Sequence, residues 1–233
     1  MIAIIGAMQE EIDFLKNKMT VHSKQTIAHC DFYKGSLFNE PIVLLKSGIG
    51  KVNAAMATTI LQENYNPQFV INTGSAGGYS NDLQVGDLVI SEDVVYHDVD
   101  VTSFNYTYGQ VPGMPKTFKA DQTLLDIADD AISELQLRKA KGTIATGDSF
   151  MDDAKKVNIL RDQFPNVIAF EMEAAAVAQV CYQYDKPFVV IRALSDIAGK
   201  DSPVTFDEFL EQAVKNSSKI VMKMIKKIGG HHI

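Results

Sequence analysis

Polar and apolar positions along this chain fall into two alternating patterns. Residues 2–6, 69–73, 88–91, 167–170 and 187–194 are short, largely apolar runs. A strand buried on both faces looks like this, whereas a strand with one wet face alternates. Between these runs, apolar residues recur at helical spacing. Leu124, Leu125, Ala128, Ala131, Ile132 and Leu135 follow Asp121, a helix-capping residue type. Residues 10–15, 51–64, 153–164 and 173–184 read as helices in the same way. Thr205-Phe206-Asp207-Glu208 has the form of a capping box with Thr205 as N-cap. It opens a last helix whose stripe is Phe209, Leu210, Ala213, Ile220, Met224 and Ile228. Residues 25–34, 36–46 and 141–146 read as further strands, with a hairpin-like turn at Asn39-Glu40-Pro41.

This order predicts an α/β fold: a mixed, largely parallel central sheet flanked by helices. No linker, repeat or low-complexity stretch divides the chain, so residues 1–233 are expected to form a single domain. Residues 95–115 fit neither pattern. They are irregular and carry Tyr96, Phe104, Tyr106 and Tyr108 with few charges, so a ligand, a partner subunit or both should cover them.

Composition narrows the classes. With 46% hydrophobic and 22% charged residues, the chain suits a globular protein. No run approaches the roughly 20 apolar residues that span a bilayer, and the N-terminus reads as a strand rather than a signal peptide. Cys30 and Cys181 lie far apart in apolar surroundings, as reduced core residues of a cytoplasmic protein do. A formal charge of −7 without a basic patch argues against nucleic acid as partner. Lys219, Lys223, Lys226 and Lys227 read as the solvated face of the last helix.

Ligands of such sheets bind beyond the carboxyl ends of the strands. Polar residues interrupt the apolar runs at residues 6–11, 74–78, 146–151, 170–173 and 192–196. Glu171 and Glu173 flank Met172 inside an apolar stretch. Two residues apart in an extended segment they share a face, and an ionised carboxylate there is costly unless paired. The pair fits a ligand site, or simply the start of a helix with Glu173 favoured by the macrodipole. Gly48-Ile49-Gly50 lacks the third glycine of a dinucleotide loop, and no Walker loop occurs. Among His22, His29, His97, His231 and His232 only the terminal pair is close in sequence, which fits no metal template. No nucleophile elbow surrounds any serine. Glu11, Glu171, Glu173 and Asp196 remain, and paired acids suit acid–base chemistry at a glycosidic bond. Locally, Glu11 also fits a solvated first-turn acid, and Asp196 a cap or turn.

The motifs Ile5-Gly6-Ala7-Met8-Gln9-Glu10-Glu11, Ser47-Gly48-Ile49-Gly50-Lys51-Val52-Asn53, Asn72-Thr73-Gly74-Ser75-Ala76-Gly77-Gly78, Tyr96-His97-Asp98, Asp100-Val101-Thr102, Thr146-Gly147-Asp148-Ser149-Phe150, Glu171-Met172-Glu173-Ala174 and Arg192-Ala193-Leu194-Ser195-Asp196 add a resemblance. Together they resemble the 5′-methylthioadenosine/S-adenosylhomocysteine nucleosidases, within the purine nucleoside phosphorylase and hydrolase superfamily, nearly end to end. The resemblance implies a nucleoside phosphorylase-like three-layer sandwich. It also implies hydrolysis of methylthioadenosine, S-adenosylhomocysteine and 5′-deoxyadenosine to adenine and the ribose derivative, with no metal or organic cofactor. A phosphate-dependent purine nucleoside phosphorylase on the same scaffold is the alternative. By the same resemblance, Glu11 activates water and Asp196, oriented by Ser195, protonates the adenine. Glu173 binds the ribose hydroxyls and Met172 packs on the sugar. Phe150 stacks on the purine, and the Met151 backbone holds its edge; Met stands there where Ile is common. Ser75, Gly77 and Arg192 surround ribose and water, while Met8, Ile49 and Phe206 form an apolar 5′ pocket. A homodimer partner completes that pocket with Val101, Phe104 and Pro112.

Overall fold

The computed structural model describes residues 1–79, 82–200 and 202–231. Its first half runs β1 (Ile2–Gly6), α1 (Gln9–Lys16), β2 (Thr20–Ile27), β3 (Cys30–Leu37), β4 (Glu40–Lys46), α2 (Lys51–Tyr65), β5 (Phe69–Gly78) and β6 (Leu88–Tyr96). After a 3-10 turn at Thr102–Phe104 come β7 (Phe118–Lys119), α3 (Gln122–Glu134), β8 (Lys139–Thr146) and α4 (Ala154–Gln163). The chain closes with β9 (Val167–Glu171), α5 (Ala174–Gln183), β10 (Phe188–Ile197) and α6 (Ser202–His231).

All strands join one sheet in the order β10-β6-β8-β9-β5-β1-β4-β3-β2, with β7 on β6. β1 is buried along its whole length because it lies parallel between β4 and β5. That is the burial its unbroken apolar run called for. The sheet also curls: β10 pairs with β5 as well as β6, so β5, β9, β8, β6 and β10 form a closed ring. Antiparallel pairs enter at this ring (β10–β6, β5–β9) and at the β2–β3–β4 edge, making the sheet thoroughly mixed. One apolar cluster joins α1, α3 and α6 to one face, and a second joins α2 and α5 to the other. The result is three layers of helix, sheet and helix.

Three local expectations change. Residues 20–46 form three strands rather than two, because the chain reverses at Ala28-His29 and again at Phe38-Asn39. All four have positive φ (50°, 62°, 54° and 69°), as tight hairpin turns require. Neither pair carries the Asn-Gly signal, and Glu40 and Pro41 belong to β4 rather than to a turn. α6 starts at Ser202, so Thr205 lies within its first turns and is not the N-cap. β5, β6 and β10 run three to five residues beyond their apolar cores, and these extensions carry the polar strand ends. Asp121 does cap α3, accepting the Leu124 N–H, and Asp153, read as the first helical residue, is the N-cap of α4, accepting the Lys155 N–H. Cys30 and Cys181 are buried free thiols. His232 lies outside the described residues.

Candidate active site

The carboxyl ends of β1, β5, β9 and β10 surround a cavity of about 380 Å³, covered on one side by the first turns of α6. Glu11, Ser75, Gly77, Glu171, Glu173, Ser195 and Asp196 line its polar side. Met8, Ile49, Phe150, Met151, Met172 and Phe206 line the apolar one. Residues drawn from both termini and the middle of the chain therefore meet in one place.

Glu11 sits on α1 directly after β1 and is 4% exposed. Its Oε2 accepts the N–H groups of Ala7 (2.7 Å) and Met8 (3.1 Å) at the open start of the helix. Its Oε1 accepts the Ser75 N–H at 3.0 Å and the Ser75 hydroxyl at 3.3 Å. Four donors converge on one carboxylate, a cradle built for an anion. Gly74 makes the approach possible: a Cβ there would lie 2.4 Å from Glu11 Oε1.

Asp196 reaches the cavity through a β-bulge. β10 pairs with β5 at Leu194↔Ala76 and next at Asp196↔Gly77, leaving Ser195 as the extra residue. A bulge re-aims the side chains around it. Here it turns Asp196 against Gly77, whose missing Cβ would lie 3.0 Å from Oδ2. The Ser195 hydroxyl donates to Asp196 Oδ1 at 2.9 Å. Glu11 thus sits at Ser75 and Asp196 at Gly77, two residues apart on one strand, a stagger of about 7 Å along β5.

Glu171 and Glu173 do not act as the symmetrical pair their spacing suggests. Glu171 Oε2 accepts the Glu173 and Ala174 N–H groups at 2.9 and 2.8 Å, capping α5, and its Oε1 accepts the Thr146 hydroxyl. Arg192, wholly buried beneath the cavity, donates from Nη2 to Glu171 Oε2 at 2.6 Å and to Asn72 Oδ1 at 2.8 Å. Arg192 does not line the cavity itself. Its Nη1 has no hydrogen-bond partner among the described residues and lies on the Glu11 side of Gly74. Glu173 is held more loosely: Oε1 accepts the Gly50 N–H at 2.9 Å, and Oε2 is 3.8 Å from Arg192. Burial, then the neighbouring Glu171 carboxylate, push Glu173 up to about 8 despite Arg192.

A pH dependence follows. Above the unfolded carboxyl value and below about 8 the folded protein holds a proton on Glu173 that the unfolded chain has released. That contribution is complete below the unfolded value and is lost as pH rises through the folded one. Melting temperatures of the wild type should therefore fall relative to Glu173→Gln between about pH 4.5 and pH 8. A constant difference across that range refutes this protonation.

Phe150 and Phe206 face each other edge-on, ring centroids 5.8 Å apart, across the apolar side. Met151 is buried and its carbonyl accepts the Gly199 N–H at 3.0 Å, which leaves its second lone pair unassigned. Val101, Phe104 and Pro112 do not line the cavity of their own chain, and Phe104 is 75% exposed. Ala7, Ala76, Ser149, Phe170 and Asp207 complete the lining without having been singled out as site residues. Thr146 and Asn72, which position Glu171 and Arg192, stood in the motifs that carry the resemblance but were given no role. Among the described residues, no group of three or more His, Cys, Asp and Glu is arranged to hold a metal ion.

Residues 1–226 match the Phosphorylase superfamily. The chain is 59% identical over 228 residues to the 5′-methylthioadenosine/S-adenosylhomocysteine nucleosidase of Bacillus subtilis (strain 168), covering 97% of this chain and 99% of that protein. A crystal structure of the Neisseria meningitidis nucleosidase with methylthio-immucillin-A superposes with a TM-score of 0.95 at 44% identity, covering 97% of this chain and 98% of that one. The Colwellia psychrerythraea 34H nucleosidase with adenine gives 0.95 at 46% identity, over 97% and 94%.

Proposed function

The chain belongs to the 5′-methylthioadenosine/S-adenosylhomocysteine nucleosidases of the Phosphorylase superfamily, and from that membership we propose how its cavity hydrolyses the N-glycosidic bond of 5′-thio-substituted adenosines. The observation that carries the mechanism is the stagger of two buried carboxylates, Glu11 and Asp196, along β5 in one cavity. Placed at successive points along the strand, base and acid can address opposite sides of the glycosidic bond, with water on the side of the base.

Adenine is a poor leaving group as an anion. Asp196, positioned by Ser195, gives its proton to N7 of the purine while the C1′–N9 bond stretches. The sugar becomes oxocarbenium-like, and the carboxylates facing it stabilise the developing positive charge. Water attacks C1′ and Glu11 takes its proton, releasing adenine and the 5-thioribose derivative. Arg192 Nη1, on the Glu11 side of Gly74 and without a hydrogen-bond partner among the described residues, is the donor that reaches the oxygen of this water from beneath the cavity. Ser75 keeps Glu11 in place, and Gly77 allows the ligand close to the strand. Glu173 receives the ribose hydroxyls, and Met172 packs on the sugar. Phe150 stacks on the purine, the Met151 backbone holds its edge, and Met8, Ile49 and Phe206 enclose the 5′ substituent.

A phosphorylase would need free cationic groups at the sugar. The positive charge of the Arg192 guanidinium is already paired with Glu171, and the Glu11 carboxylate would repel phosphate. Adenine release from methylthioadenosine should therefore proceed at the same rate with and without phosphate, yielding the free thioribose. Formation of the ribose 1-phosphate would overturn the hydrolytic mechanism.

The protein acts in the cytoplasm in this reading, supported by its two free buried cysteines. It acts as a homodimer in which Val101, Phe104 and Pro112 of one copy close the 5′ pocket of the other. Phe104 and Val52, 75% and 76% exposed, with Ile49 at 50%, supply the apolar surface such a pairing covers. Light scattering at assay concentration should give twice the 25.7 kDa chain mass; a monomer with full activity rules the pairing out.

A further inference from the structure

Asp98 lies outside the cavity, just after β6, and the mechanism above leaves it without a task. Its Oδ2 accepts from Lys51 Nζ at 2.7 Å and from the Asp148 N–H at 3.0 Å. Lys51 is the first residue of α2, and Asp148 directly precedes the cavity-lining residues 149–151. Asp148 in turn accepts the Lys51 N–H at Oδ1, 2.8 Å away. The preceding residue donates its own N–H to the sugar-facing acid, Gly50 to Glu173 Oε1 at 2.9 Å. One carboxylate oxygen therefore ties together two cavity walls almost a hundred residues apart in sequence, and the tie ends on Glu173.

The surroundings leave this link little slack. Gly50 has φ of +95°, which side-chain-bearing residues rarely adopt, and a Cβ there would lie 3.1 Å from Asp148 Oδ1. His97, the neighbour of Asp98, braces the same loop from behind. A Cβ on Gly147 would fall 2.4 Å from its imidazole, and the ring meets cavity-lining Phe170 edge-on at 5.5 Å. The Lys51 and Asp98 side chains remain 23% and 27% exposed, and such a pair adds little to global stability. What it fixes is where residue 50 stands relative to residue 148.

We propose that Asp98 is a positioning residue for the reaction, holding Gly50 against Glu173 and thereby setting where the sugar hydroxyls are received. The proposal rests on the nucleosidase reading above. Misplacing a binding group by a fraction of an ångström to an ångström costs rate steeply, so Asp98→Ala, which removes the shared oxygen, should lower kcat/KM for methylthioadenosine by about tenfold, chiefly through KM. Its melting temperature should stay within about 2 °C of the wild type. Because the effect runs through Glu173, the same change in a Glu173→Ala background, where Gly50 has no carboxyl to meet, should cost less than about threefold. Lys51→Met cuts the link from its other end and should reproduce the pattern, and it carries the test if Asp98→Ala does not fold. Wild-type kcat/KM in these variants, or an undiminished tenfold loss in the Glu173→Ala background, overturns the proposal. Wild-type protein that releases no adenine would instead sink the nucleosidase reading itself.

Discussion

Asp196→Asn lowers kcat for methylthioadenosine by about 10³-fold, within the range a positioned general acid supplies, while KM changes only a few-fold. The amide keeps the oxygen that accepts the Ser195 hydroxyl at 2.9 Å, so the bulge that aims the side chain is preserved. It lacks only the acidic proton that the departing purine needs. The defect should therefore depend on the leaving group. On a 5-thioriboside of 4-nitrophenol, which departs as an anion without help, Asp196→Asn should lose less than about tenfold. Steady-state release of adenine and of nitrophenolate measures both. Near-normal adenine release, or an equal loss on both substrates, removes Asp196 from the acid role.

Glu11→Gln shows the complementary pattern and an added stability effect. Without the base, kcat falls by about 10²- to 10³-fold on both substrates, because water must be activated whichever group departs. The wild-type carboxylate accepts two N–H groups at Oε2, and an N–H and a hydroxyl at Oε1. Glutamine has one oxygen, so its NH₂ must face the N–H groups on one side and leave them unpaired. A buried unpaired donor costs about 1–3 kcal/mol, which lowers the melting temperature by several degrees in a chain of this size. Asp196→Asn carries no such penalty at its Ser195 contact. Full adenine-releasing activity in Glu11→Gln, or recovery on the activated substrate alone, would show that Glu11 is not the base.

Much of the fold was legible where one physical signal dominated. The run at residues 2–6 announced a strand buried on both faces, and β1 lies between two parallel neighbours. Asp121 and Asp153 announced helix starts because their side chains answer unpaired N–H groups a few residues on. The hairpin at Phe38-Asn39 was legible to within a residue, as a turn at Asn39-Glu40-Pro41, but the one at Ala28-His29 was not. Ala28 and Phe38 adopt positive φ against their own preference, held there by strand pairing on either side. Thr205 looked like a cap because the local pattern matches, but the helix begins at Ser202.

The candidate site divides along the same line. That Glu11, Glu171, Glu173 and Asp196 are acids at the ends of apolar strands is a property of the sequence, as is the motif set that matches the family. Hydrophobic periodicity settles which segments are buried, and buried strands leave their polar residues at the ends. What each acid can do was decided only by tertiary structure. Glu171 became a cap and the partner of Arg192 because β9 and β10 bring residues 171 and 192 together within the closed ring. Glu173, left with one backbone donor and a more distant guanidinium, holds its proton up to about 8. Asp196 faces the cavity because Ser195 is an unpaired bulge residue, a register shift that no composition or spacing encodes. Charge state and aim depend on neighbours that are remote in sequence, and only the folded sheet supplies those neighbours.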